Sequence, residues 1–248
     1  MGYNEARLRR LNDGKPNPRG GYVLYWAQAS RRLDHNHALD YALRRADELR
    51  KPLVVYEGLR LDYPWASRRL HRFVLEGMVD NAAAAAKRGI NYWPFVETPQ
   101  QRARGLLARL AGKSALVVTD DYPCFVVPGQ SAALARQVEV PVFAVDANSV
   151  VPLSLLGPAV GAAAHLRPRI HRSFPEAWAN RAAARPRASS AATRRVEAPF
   201  ATWKAADLDA FVESLPLDAS VPPVKTMPGG TSSARRRLGT FVRRRLRG

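Results

Sequence analysis

Short apolar runs separated by amphipathic stretches organise the first 157 residues. Tyr22-Val23-Leu24-Tyr25-Trp26 follows Gly20-Gly21, and similar runs occupy 53–56, 90–96, 115–119 and 142–145. Each is brief, bounded by turn residues and rich in β-branched or aromatic side chains, as buried parallel strands are. The stretches between them read as helices. In 31–51, Ala38, Tyr41, Ala42, Ala46 and Leu49 share one helical face. Asp34 or Asn36 is the expected cap and Pro52 the stop. Residues 67–88 predict a long helix with Leu70, Phe73, Val74 and Met78 as its apolar face and Gly89 closing it. Thr98-Pro99-Gln100-Gln101 predicts a helix start, with a Thr cap, Pro at the first position and Gln at the third. Pro94 puts the third strand at an edge or ends it early.

Strands alternating with helices imply right-handed crossovers and a parallel sheet covered on both faces. The expectation is therefore an α/β fold, a five-stranded parallel, doubly wound (Rossmann-like) sheet. An irregular basic linker and a short terminal helix follow it. The divisions expected are a basic N-terminal extension at 1–21, the α/β body at 22–157, a linker at 158–228 and a last segment at 229–248. In that last segment Thr231 is the expected cap of a helix reaching Gly248. Leu238, Phe241, Val242 and Leu246 lie on one side of it with nothing evident to pack against.

Charge changes the picture mainly by its location. The net charge is +18. From Tyr22 to Ala164 there are 17 basic and 13 acidic residues, whereas His165 to Arg195 holds eight Arg and one Glu, and 229–248 holds seven Arg and no acid. Basic clusters of this kind attract phosphate backbones, although a solvated linker and tail explain them as well. A lone cysteine, Cys124, excludes an internal disulfide, and it reads as a small buried apolar residue. No Cys/His spacing suits zinc, no run approaches a membrane span, and a reducing cytoplasm is the natural setting.

Ligands of open α/β sheets bind at the carboxyl ends of the strands. Those ends offer Trp26, Gln28 and Arg31 after the first strand, Tyr56 at the second, and Asp120, Asp121 and Cys124 after the fourth. Flat aromatic surface beside amide, guanidinium and carboxylate groups suits a planar heteroaromatic ligand. The same residues also read as core aromatics and a helix cap. There is no GxGxxG after the first strand, no Walker A loop and no GxSxG elbow. Two alternatives stay open on residues alone: a stand-alone nucleotide-binding module, and a non-enzymatic basic DNA-binding protein.

Several longer strings carry a resemblance. YWAQASRRLDHNHALDYAL, YPWASRRLHRFVLEGMVDN, VVTDDYPCF and AVDANSVVPL resemble the amino-terminal domain of class II cyclobutane pyrimidine dimer DNA photolyases. AAAHLRPRI and GGTSSARRRLGTF are similar to that family's linker and to the opening of its helical domain. The resemblance implies light-dependent repair of UV-damaged duplex DNA. It also implies an α/β antenna lobe, with a deazaflavin as the expected chromophore, and a helical lobe holding FAD. The FAD site and the tryptophan relay belong to that helical lobe. No catalytic residue is therefore carried over, and the expectation is a truncated chain inactive alone, completed by a helical domain in trans if at all. Trp26, Gln28, Arg31, Tyr56, Asp120, Asp121 and Cys124 remain as candidate antenna-site residues.

Overall fold

The computed structural model describes residues 5–204 and 206–246. In chain order the strands are β1 (Leu8–Arg10), β2 (Val23–Trp26), β3 (Leu53–Leu59), β4 (Asn91–Val96), β5 (Leu116–Asp120) and β6 (Val142–Val145). The helices are α1 (His37–Glu48), α2 (Arg68–Arg88), α3 (Leu106–Gly112), α4 (Val127–Gln137), α5 (Ala163–Ala179), α6 (Leu208–Ser214) and α7 (Thr231–Arg244). The sheet order is β1-β6-β5-β2-β3-β4. The five expected strands pair in parallel, and β2, in the middle, is wholly buried.

The sixth strand corrects the expected count. Leu8–Arg10 adds to the β6 edge antiparallel, with Leu8 opposite Val145. Two polar side chains fix it there. Arg7, 1% exposed, donates to the carbonyls of Asp146 and Ser149 at 3.0 and 3.1 Å. Asn12 donates to the carbonyls of Ala135, Val138 and Val140 and accepts from the Val142 amide. A strand this short and charged leaves little apolar signal in the sequence.

Two apolar layers sandwich the sheet. Tyr25, Val55, Leu116 and Val118 pack with α1, and Leu24, Trp26, Val54, Tyr56 and Val117 with α3 and α4. Asn36 caps α1, its side-chain oxygen accepting from Ala38 and Leu39, and Gly89 closes α2 in the left-handed conformation at φ +66°. The buried face of α2 matches the expected one in part: Met78 is fully buried and Val74 packs half-buried beside it, but the face is turned. His71, Leu75, Met78, Asn81 and Ala85 turn inward, while Leu70 and Phe73 are 43% and 49% exposed. The helix is rotated because two of its polar residues have partners inside. His71 lies between the Ser67 and Arg60 carbonyls, and Asn81 donates to the Glu57 carboxylate.

Two further corrections follow the chain. Thr98 to Gln101 forms a closed turn, not a helix start: Thr98 and Gln101 exchange backbone hydrogen bonds, and α3 begins only after Gly105. The stretch read as an irregular linker contains the 17-residue helix α5, despite Pro168 and Pro175 within it. Beyond it the chain returns along β4. Val196 donates to Asn91 and Trp203 to the Pro94 carbonyl, and Phe200 packs edge-on against Tyr56, Trp93 and Phe95. Pro94 does lie on an edge strand, and this returning segment covers that edge.

The last helix has more support than its sequence promised. Gly230, at φ +88°, precedes it, and Thr231 is its first residue, not its cap. Asp80 of α2 accepts from the Ser232 amide and hydroxyl, Glu76 accepts from the Gly229 amide, and Arg235 pairs with Asp34. Further along, Leu238, Phe241, Val242 and Leu246 are 38–63% exposed. The expected end at Gly248 lies outside the described residues.

Candidate functional site

The strand order reverses at β2. The chain leaves β2 for α1 on one face, passes to β3 and β4, then crosses back to β5 on the other side of β2 and leaves it for α4 on the opposite face. The carboxyl ends of β2 and β5 therefore flank a crevice of the kind that binds ligands in doubly wound sheets.

Asp120 is the last residue of β5, at this switch point. It is 2% exposed, and one carboxylate oxygen accepts from the amides of Gln28, Ala29 and Ser30 at 2.8, 2.7 and 2.9 Å. The other accepts from the Tyr25 hydroxyl at 2.8 Å. Burial raises the Asp120 pKa, and these donors pull it back. The residue thus ties the β2 loop to β5.

Gln28 projects to the α4 face. Its amide nitrogen donates to the hydroxyls of Thr119 and Ser131, both at 2.8 Å. Its side-chain carbonyl oxygen is buried with no partner among the described residues. An unpaired buried acceptor costs about 1–3 kcal/mol, so an incoming donor would be rewarded.

Arg31 lies on the other face, in a network absent from the candidate set. Its guanidinium donates to the Glu57 carboxylate at 3.2 Å and the Gly58 carbonyl at 3.1 Å. Glu57, 1% exposed, also accepts from Asn81 at 2.9 Å and Tyr92 at 2.6 Å. Burial, then the Glu57 charge, hold the Tyr92 phenol well above its usual pKa. A glutamate continuing an apolar strand and an asparagine on the inner face of a helix were the available signals.

The seven candidates are thus divided. Trp26, Gln28 and Tyr56 share the α3–α4 side, the two rings forming part of the core. Arg31 and Asp120 serve the α1–α2 side. Asp121 stands apart in a two-pronged ion pair with Arg9 of β1, at 2.5 and 3.0 Å. Cys124 corrects the expectation of burial: it is an exposed free thiol. Next to it, Phe125 is 79% exposed and holds a left-handed φ of +57°.

For a planar donor-bearing chromophore the fit is partial. Gln28 holds an unpaired acceptor near the strand ends, though shielded from solvent, whereas the hydrogen-bonding atoms of Asp120 are already used. No grouping of three or more His, Cys, Asp or Glu suited to a metal occurs among the described residues, and no described helix is long and apolar enough to cross a membrane. A separate cleft of about 430 Å³ runs between α2 and the start of α7, lined by Asp34, Asp80, Lys87, Arg88, Arg185 and Arg235 among others.

Comparison with known proteins places this architecture. The deoxyribodipyrimidine photo-lyase of Methanothermobacter thermautotrophicus strain Delta H is 37% identical over 147 residues, which are 59% of this chain and 32% of that protein. This chain therefore matches about a third of that relative's length. A bacterial class III photolyase from Agrobacterium tumefaciens has a similar fold, with a TM-score of 0.52 at 14% identity over 90% of this chain and 45% of that one. The DNA photolyase family model matches residues 23–189, from the central strand β2 through the crevice and α5. By that match, over more than half its length, the chain belongs to the DNA photolyase family.

Proposed function

We propose that these 248 residues form the light-collecting lobe of a class II cyclobutane pyrimidine dimer photolyase. The lobe works with a flavin-bearing helical lobe, in the same or a separate chain, on UV-damaged duplex DNA. The observation that carries the reading is the family match over 23–189, which includes the whole β2–β5 crevice. The 37% identity to an archaeal photo-lyase supports it. Class II is proposed on the sequence strings alone, since the likeness to a class III structure concerns the fold.

A deazaflavin bound in the crevice would absorb light and pass its excitation to a flavin in the helical lobe. Gln28 would accept a hydrogen bond from it through the free carbonyl oxygen. Asp120 would hold the 28–30 loop in shape, and Arg31, locked to Glu57 and Gly58, would fix the loop's exit. No residue of this chain is assigned to FAD or to bond breaking, and Trp178 and Trp203 are not assigned to an electron relay.

Two measurements test the proposal. The purified 248-residue chain, illuminated with reduced FAD and dimer-containing DNA, gives no repair above background; repair by this chain alone overturns the division of labour. Incubated with a deazaflavin, it retains the chromophore's absorbance after gel filtration, and Gln28→Leu weakens that uptake by about 1 kcal/mol, near fivefold. Wild-type protein that retains none removes the antenna assignment.

A further inference from the structure

Helix α5 meets the rest of the protein with one side only. Ala177 is buried, and Leu166, Arg169, Ile170 and Ser173 are half-buried. Arg169 fastens this side, donating to the carbonyls of Leu156 and Pro158 at 2.7 and 2.9 Å. On the other side Arg167, His171, Phe174 and Trp178 are all exposed. Their spacings of four, three and four put them on one face, and Arg181, three residues further on, extends the line. The helical part of this stripe is about 17 Å long at 1.5 Å per residue.

The stripe is organised chemically as well. The Phe174 and Trp178 rings are nearly parallel, at 13°, with centroids 5.8 Å apart, and are 42% and 50% exposed. The Arg181 guanidinium lies 5.1 Å from the Trp178 ring centre. Residues 163–187 carry six arginines against one glutamate. Aromatic faces beside cations are what a strand of unpaired bases uses, since every base has a face to stack and a phosphate to neutralise. A paired duplex offers open faces only where a base leaves the stack. A membrane-surface helix places its rings and its cations on opposite faces, whereas α5 mixes them on one.

We propose that the Arg167–His171–Phe174–Trp178–Arg181 face of α5 binds single-stranded nucleic acid. Bases stack on the aromatic pair, and the arginines take the phosphates. This surface lies outside the strand-end crevice and needs neither light nor chromophore.

The test is fluorescence anisotropy of a labelled twelve-residue oligothymidylate with the 248-residue chain, in the dark, over a series of salt concentrations. A duplex of equal length and vesicles of anionic lipid serve as competitors. Phe174→Ala/Trp178→Ala is expected to bind about tenfold more weakly or worse, with an unchanged salt slope. Arg167→Gln/Arg181→Gln is expected to flatten the slope of log affinity against log salt by about 1.4. Circular dichroism checks that both variants, altered only on an exposed face, keep their helices. Wild-type affinity in the double-alanine variant overturns the proposal. So does equal preference for duplex, or displacement by vesicles but not by unlabelled strand. None of these outcomes bears on deazaflavin uptake, so the two readings fail separately.

Discussion

At the scale of single residues, Asp120 and two titratable groups on α1 give the sharpest expectations. Asp120→Ala would leave three amides and the Tyr25 hydroxyl without their acceptor in a buried place, a loss of about 3 kcal/mol or more. Asp120→Asn keeps one oxygen for the amides and should cost about 1 kcal/mol; urea unfolding ranks the two. His37 and Asp40 oppose one another. Burial, with Arg7 and Arg32 nearby, lowers the His37 pKa from 6.5 to about 4. Burial raises that of Asp40 from 3.8 to about 6, and the Ala183 amide offsets this only in part. Between about pH 4 and 6 the folded chain holds fewer protons at His37 and more at Asp40 than the unfolded chain does. The first makes stability rise with pH and the second makes it fall, so together they nearly cancel. Relative to wild type, Asp40→Asn should therefore gain stability from pH 4.5 to 6, and His37→Asn should lose it. Urea midpoints at those two pH values decide, and parallel wild-type and variant curves would refute the account.

At the scale of elements, α7 depends on the turn before it. A β-carbon on Gly229 would stand 2.0 Å from the Phe73 carbonyl oxygen of α2, and Gly230 holds φ +88°. These contacts allow Glu76, Asp80 and Asp34 to anchor the first turn. Gly229→Val should detach α7 and speed tryptic cleavage at 235–237 severalfold while the sheet unfolds at nearly the wild-type urea concentration. Unchanged cleavage would show that the anchor lies elsewhere. The same glycine pair was legible as a turn, but its reason was not, because the obstructing carbonyl belongs to a helix more than 150 residues earlier. The rotation of α2 was hidden similarly. Leu70 and Phe73 are the more apolar choices, and only the partners of His71 and Asn81 reveal which side faces inward.

At the scale of the whole molecule, segments remote in sequence add to both margins of one sheet. On the β4 side the segment is 194–203, and on the β6 side it is β1. Deleting residues 1–12 removes the Arg7 and Asn12 hydrogen bonds and opens the β6 edge. The shortened chain should unfold at a lower temperature and self-associate, since an uncovered edge is a template for pairing. Calorimetry and light scattering test this, and a monomer of unchanged Tm would make the segment dispensable.

Local pattern was enough for the five parallel strands, most helices between them and the edge position of β4. Those features follow from hydrophobic periodicity and turn chemistry, which act over a few residues. Which face each strand-end side chain took, and so the separation of Gln28 from Arg31, the Glu57 network and the Asp121–Arg9 pair, was decided only by tertiary structure. Such polar contacts join residues dozens to more than a hundred positions apart, and burial selects them because an unpaired polar group costs more than any local preference supplies.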